Sequence, residues 1–521
     1  MRVFAFPAVI GVMALAASAQ ALWPPDTAYC TQCRQSLVLN QSGCPGNQTV
    51  RVTHAGGGGA ISFSQFLDQL PGSDNRTYVI AASDTPYVVG CRSVYIGSYG
   101  VSAKRTCVTV RGETGLREDV VLVGENPAVN PNYWKSSQYG GPSPCDAGQF
   151  LQLFYAEHIV IADLTMRNFP GHMLKLDGGY ASGQAWYPRD IVFHNLELHD
   201  CGDQMIKGAS GADQNPLGCV DGILECSYLH YTDGLNIESS YETQGIDLHE
   251  GHNWIVRDNV FERIRIQKTA AAASNGAAVL MWDRSDSIRV ERNLMVNCNA
   301  AIKLGASWYD DSCDYMTAVN NLVIYDDPDS RYEVSNMFEI GMDVTAGGLH
   351  HNTIWNPAQS DAGTMFYCPS ASFPLENNAF FHGTTHRAAG ARDNVKITDS
   401  TWFVSVGRGD YRPQQNVTMP AVGVSEDITR RTRANPPTVG AYEWVSSAVR
   451  APDGMRSPAS RGQGGLTAAA VYDLRGRVVK GVHAVSGVIA VASTTRSDLT
   501  TGRPGSLAVL SLAHGSGEEH W

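Results

Sequence analysis

The sequence predicts an all-β chain folded as a right-handed parallel β-helix, with an N-terminal capping helix and a small C-terminal β tail. A short phrase, apolar stretch–asparagine–apolar stretch, recurs around Asn259, Asn293, Asn321, Asn352 and Asn378 at intervals of 26–34 residues. A period in this range is the mark of a solenoid. The flanks alternate, as in Ile255, Arg257, Asn259 and Phe261, and are rich in β-branched residues, so each repeat is built from strands. One amide per coil at a fixed place can hydrogen-bond to its stacked copies and to backbone on the inside of a tight bend. A β-sandwich would not repeat one residue type at one phase.

The elements follow in chain order. Met1-Arg2, an apolar run to Ala16 and then Ala17-Ser18-Ala19-Gln20-Ala21 read as a secretory signal over residues 1–21, which directs the chain outside the cell or to its surface. Residues 22–147 form a Cys-rich N-terminal segment, irregular to about residue 60, with the cap and the first coils. In it Phe63, Phe66, Leu67 and Leu70 recur at helical spacing behind Ser62 or Ser64 as N-cap, a short helix suited to plug the open end of a solenoid. Repeats and a closing segment span 148–445, with Leu164, Leu196 and Ser227 holding the asparagine slot upstream of Asn259. A Pro-, Gly- and Arg-rich linker (446–465) leads to the tail, 466–521.

Composition narrows the function classes. The 521 residues carry a formal net charge of −12, which argues against nucleic acid as a partner. Outside the signal no apolar stretch is long enough to span a membrane. All 12 cysteines follow the signal, and export makes disulfides the expectation, with Cys91/Cys107, Cys201/Cys219 and Cys298/Cys313 as close pairs. Cys30, Cys33 and Cys44 are three thiols where a structural zinc wants four ligands, so disulfides are expected there too.

Two constellations carry chemistry. On a coil strand, outward residues of successive coils stack about 4.8 Å apart. Lys175, Lys207 and Glu238 share one phase, and Lys303 takes a similar slot later, a column able to bind sugar carboxylates or present a base. The second constellation is Asp247-Leu-His249-Glu250-Gly-His252, in which Asp247 and His249 point outward together, with Asp283-Arg284 on the next coil. Asp247 and Glu250 offer oxygens to a calcium ion, and His249 can carry protons. Tyr180, Trp186, Tyr187, Trp282 and Trp308 lie where exposed rings would stack on sugars.

Over residues 60–445 the chain resembles the pectate-lyase-like superfamily of parallel β-helix proteins, carried by the asparagine repeat and its strand pattern. Asp427–Arg433 with Thr438–Trp444 resembles the closing segment of secreted bacterial members, and Ala468–Val478 with Ser486–Val491 and Leu507–Leu510 resembles the C-terminal sorting module of type IX secretion. The resemblance implies an extracellular polysaccharide as partner and a monomeric protein. The expected activity is a lyase on a uronate-containing polymer: Lys207 as base, Arg284 and His249 assisting, Lys175, Glu238, Trp282 and Lys303 binding substrate, and Asp247 with Glu250 holding any calcium. The alternatives are a carbohydrate-binding surface protein without catalysis and, third, a glycoside hydrolase using two carboxylates.

Overall fold

A computed structural model describes residues 44, 46–90, 92–98, 104–125, 149–210, 218–232, 243–266, 276–305, 313–327, 329, 332, 336–342, 344–357, 364–369, 372–381, 384–386 and 391–445. The expected signal, linker and tail lie outside these residues, as do Cys30, Cys33, Cys91, Glu238 and Trp308.

The chain winds as a three-faced, right-handed parallel β-helix. Each coil runs through a first face, a second face and a third face. Ile159, Ile191, Gly222 and Trp254 lie in register on the first. On the second, Leu198, Leu229, Phe261, Met295, Val323, Ile354 and Phe380 form one inward row. On the third, Leu174, Ile206, Ile246, Val279, Ile302, Phe338 and Phe366 do the same. These rows meet in one continuous buried core. The first and second faces join into one 23-stranded sheet because the long strands Ala156–Phe169 and Arg189–Cys201 run through the corner between them.

That corner explains the repeat. At each coil the residue before the asparagine slot adopts the left-handed conformation: Asp163, Asn195, Cys226, Asp258, Arg292, Asn320, His351, Asn377 and Asp393 all have φ between 50° and 60°. The bend turns the next side chain inward. There Asn259, Asn293, Asn321, Asn352 and Asn378 are fully buried, and each amide donates to the next one's Oδ1 at 2.9–3.0 Å. Each also donates to backbone, as Asn321 Nδ2 does to Val290 O at 2.9 Å. The ladder runs one rung beyond the predicted set, to Asn394. Upstream, Ser227 takes the slot, accepting from Leu196 N–H through Oγ and donating its own N–H to Asn259 Oδ1.

The N-terminal helix, Phe63–Gln69, starts at Ser62 with a reciprocal capping box to Gln65. It buries Phe63, Phe66 and Leu67, with Phe66 edge-on to Tyr78 at 5.0 Å, and so closes the core. The segment before it is more regular than expected: Gln48–Thr53 is a strand paired in parallel with Arg76–Ile80, so the first face begins ahead of the plug.

The cysteine pairing differs from expectation. Cys107 is bonded to Cys44 across 63 residues, not to Cys91. Cys201 and Cys219 are buried thiols, each claimed by interior neighbours. Cys201 Sγ donates to Asp203 O at 2.9 Å, and burial pushes its pKa up to about 12. Cys298 is a thiol as well, hydrogen-bonded to Val296 O. Export and short spacing suggest these pairs; the core absorbs the sulfurs as small apolar groups instead.

The closing segment lies along the second face. There Leu294, Leu322, Trp355 and Phe381 turn outward and are covered by Phe403, Tyr411, Ile428, Val439 and Tyr442. Arg433 anchors the cover, donating to Asn320 Oδ1 and to the carbonyls of Thr438, Gly440 and Ala441 at 2.7–3.1 Å.

Candidate functional site

The third face carries a polar cluster built by register. Lys175, Lys207 and Asp247 are successive outward residues of one column, followed by Leu280, Lys303 and Glu339. The slot beside Lys207 is thus filled by Asp247, where the sequence spacing had suggested Glu238. Two residues further along the strands, Asp177 lies beside Ala209, and His249 beside Trp282. The small side chain of Ala209 leaves a gap in this second column, and the Lys207 ammonium reaches across to His249.

The contacts are close. Lys207 Nζ lies 2.7 Å from Asp247 Oδ2 and 2.6 Å from His249 Nε2. Asp247, whose side chain is 1% exposed, also accepts from Trp282 Nε1 at 2.8 Å and Gln204 Nε2 at 3.3 Å. His249 Nδ1 lies 2.6 Å from Asp283 Oδ2, and its ring packs 4.2 Å from the Trp282 ring. The Asp283 carboxylate therefore keeps the proton on Nδ1 and presents Nε2 as a lone pair toward Lys207. Asp283 Oδ1 and Glu250 Oε2 are buried and accept no hydrogen bond among the described residues.

A sharp corner at Glu250 and a second at Asp283-Arg284, all with positive φ, end the strands here. They divide the constellation seen in sequence. Asp247 and His249 stay on the third face, Glu250 ion-pairs with Arg284 at the corner, and His252 pairs with Asp286 on the first face at 2.9 Å. Lys303 sits in the same column as Lys207, three rungs on, paired with Glu339 at 3.2 Å. Lys175 lies 3.4 Å from Asp177, whose carboxyl is raised by burial against the pull of Lys175. Trp186 is buried beside Phe154, so it offers no ring to a ligand, while Tyr180 is exposed.

The expected calcium pair does not fit this arrangement. Both oxygens of Asp247 are already engaged by Lys207, Gln204 and Trp282, and one oxygen of Glu250 is engaged by Arg284. Sequence reasoning also missed His172, set under the lysine column with Nδ1 3.3 Å from Gln204 O. Burial, reinforced by Lys175 and Lys207, depresses its pKa to about 3 and leaves it neutral.

No protein-family model and no curated protein matches the chain. Among solved structures, the pectate lyase Pel9A is similar at 11% identity, covering 76% of this chain and 97% of that one with a TM-score of 0.43. An alginate lyase from Paenibacillus sp. str. FPU-7 is similar at 11% identity, covering 67% and 98% with a TM-score of 0.31. An iota-carrageenase complexed to iota-carrageenan fragments is similar at 12% identity, covering 54% and 58% with a TM-score of 0.29.

Proposed function

We propose that the chain is a secreted polysaccharide lyase acting on a uronate-containing polymer at the Lys207–His249 site. The observation that carries this reading is the continuous contact chain Asp247–Lys207–His249–Asp283 on one outward face. β-Elimination removes the proton at C5 of a uronate, forms the C4–C5 double bond and breaks the C4–O bond to the leaving sugar. Lys207, having passed one proton to His249 Nε2, takes the C5 proton; the imidazolium is stabilised by Asp283. Asp247 orients the lysine, and the proton held on His249 is available to the departing oxygen. Lys175, one rung away, is the cation placed to meet the sugar carboxylate. Trp282 supplies an aromatic surface.

A second reading is binding without cleavage. It is favoured by the closed Lys207–Asp247 ion pair, which is a complete structure without any substrate. Incubation of the full chain with a panel of uronate polymers separates the two, read by the ultraviolet absorbance of the new C4–C5 double bond. The expected result is unsaturated product from at least one polymer, lost at least a hundredfold in Lys207→Gln and His249→Asn. Binding of a polymer with no unsaturated product would establish the second reading, and product formed undiminished by Lys207→Gln would remove Lys207 as the base.

A further inference from the structure

The second face carries a separate polar cluster, upstream of the stretch that the closing segment covers. In register, Thr165, Glu197 and Tyr228 form one outward column, and Arg167, His199, His230 and Glu262 form the next. Further along the same face the outward residues become apolar, beginning at Val260 and Leu294. The change falls at the boundary of the cover, so the polar residues are not part of the packing that holds the closing segment.

We propose that Glu197, His199 and His230 form a binding site for a divalent transition metal of the zinc class. One ligating atom from each of the three lies within 4.8 Å of the other two. His230 Nε2 is 3.0 Å from Glu197 Oε1, close to the roughly 3.3 Å separating two ligands on a tetrahedral zinc. The two imidazoles stack on adjacent rungs with centroids 4.7 Å apart and planes 10° apart. The His199 ring is already oriented: its Nδ1 meets Asp200 Oδ2 at 2.9 Å, and Asp200 is itself fixed by the Thr232 N–H and hydroxyl at 2.7–2.8 Å. A carboxylate behind a histidine, leaving the far nitrogen as a lone pair, is the usual support of a metal-bound imidazole. Glu197 is steadied in turn by the Thr165 hydroxyl at 3.2 Å.

Two imidazole nitrogens with one carboxylate select a borderline metal over calcium or magnesium, which take oxygen ligands. Charges around the three residues balance: Arg167 and Arg263 lie on the neighbouring coils, against Asp200 and Glu262, and Arg117 stands 5.9 Å over the Tyr228 ring. The three side chains retain 12–25% exposure, enough for an ion to enter.

The test is zinc binding by the full chain after dialysis against a chelator, followed by calorimetry with Zn²⁺ alone. We expect one saturable equivalent, loss of that equivalent in His199→Gln and in His230→Gln, and a ten- to hundredfold weaker affinity in Asp200→Asn. His249→Gln should bind as the parent does. If either glutamine variant fails to fold, Co²⁺ added to the parent chain decides, through ligand-field absorption of a nitrogen-bound ion. No saturable uptake, uptake retained in both histidine variants, uptake lost in His249→Gln, or a Co²⁺ spectrum without nitrogen ligation would each overturn the assignment.

Discussion

Replacing Asn321 with alanine tests what holds the coils in register. The Asn321 side chain accepts from Asn293 N–H and Nδ2 at 3.0 Å through Oδ1, and donates from Nδ2 to Val290 O and Asn352 Oδ1 at 2.9 Å. Alanine leaves the Asn293 N–H and the Val290 carbonyl without these partners, in a position with no exposure to water. At about 1–3 kcal/mol for each orphaned buried group, the loss should be about 2–6 kcal/mol. Serine should cost less, because Ser227 already shows how a hydroxyl serves this slot: it accepts from the backbone N–H of the preceding coil and donates to Glu225 O. Alanine at Asn394, the last rung, should cost about 1 kcal/mol, since that residue is half-buried and water can replace its amide. Urea unfolding of the three variants gives the order, and hydrogen exchange at the Asn293 amide reports the opened coil directly. Asn321→Ala within about 1 kcal/mol of the parent, or no more harmful than Asn394→Ala, would refute a ladder that stabilises through satisfied buried amides.

Three further outcomes are expected. Cys44→Ser opens a crosslink spanning 63 residues and should lower stability by up to about 4 kcal/mol, read as a fall in the urea midpoint; an unchanged midpoint under non-reducing conditions would contradict it. His351 is buried, and burial together with Arg433 and His350 depresses its pKa to about 2. It is neutral when folded but takes a proton near 6.5 when unfolded, so its stabilisation is complete above 6.5 and falls as pH drops toward 2. His351→Asn, which also suits the left-handed φ of 54°, should remove about 1.4 kcal/mol per pH unit from the slope of stability between pH 6 and 4; an unchanged slope would count against a neutral buried imidazole. Arg433→Met strips the closing segment of its anchor and leaves Glu443 unpaired, at a cost of about 3–5 kcal/mol, and limited proteolysis should then cut first within 403–444, whereas parent-like resistance would mean that the apolar cover alone suffices.

The fold was legible because its main device is a repeated residue at a repeated phase. Asn259 to Asn378 could be aligned without any knowledge of the loops between them, since the ladder tolerates insertions elsewhere. The third-face columns were less legible for the same reason. Lys207 and Asp247 are neighbours in space but 40 residues apart, against 32 for Ser227 and Asn259, because insertions fall on the segments beside that face. Counting a constant period from Lys207 therefore pointed to Glu238. Neither glutamate nor arginine is a residue whose type announces a left-handed turn, so the sequence did not show that the corner at Glu250 sends His252 to the first face. A usable signal was overlooked at His199 and His230. Their separation of 31 equals that of Leu196 and Ser227, so two histidines at one phase were readable as a stacked pair.

The third-face network is not required by the fold. In the same column Leu280 stands where Lys207 and Asp247 stand in the two preceding coils, and the coil forms equally well around it. Burying an ammonium and a carboxylate costs several kcal/mol per ion before their attraction is counted, and apolar residues of similar size often do as well or better. Yet at this place the chain keeps a lysine, two aspartates, a histidine and an indole N–H in contact, with one buried oxygen of Asp283 unfilled. Solvation of an outer face does not explain the cluster, because Asp247 is 1% exposed, and edge protection does not explain it, because the strands concerned are interior to their sheet. A directed array of acceptors and donors, held rigid by the coils on either side, is what the chemistry proposed above would need.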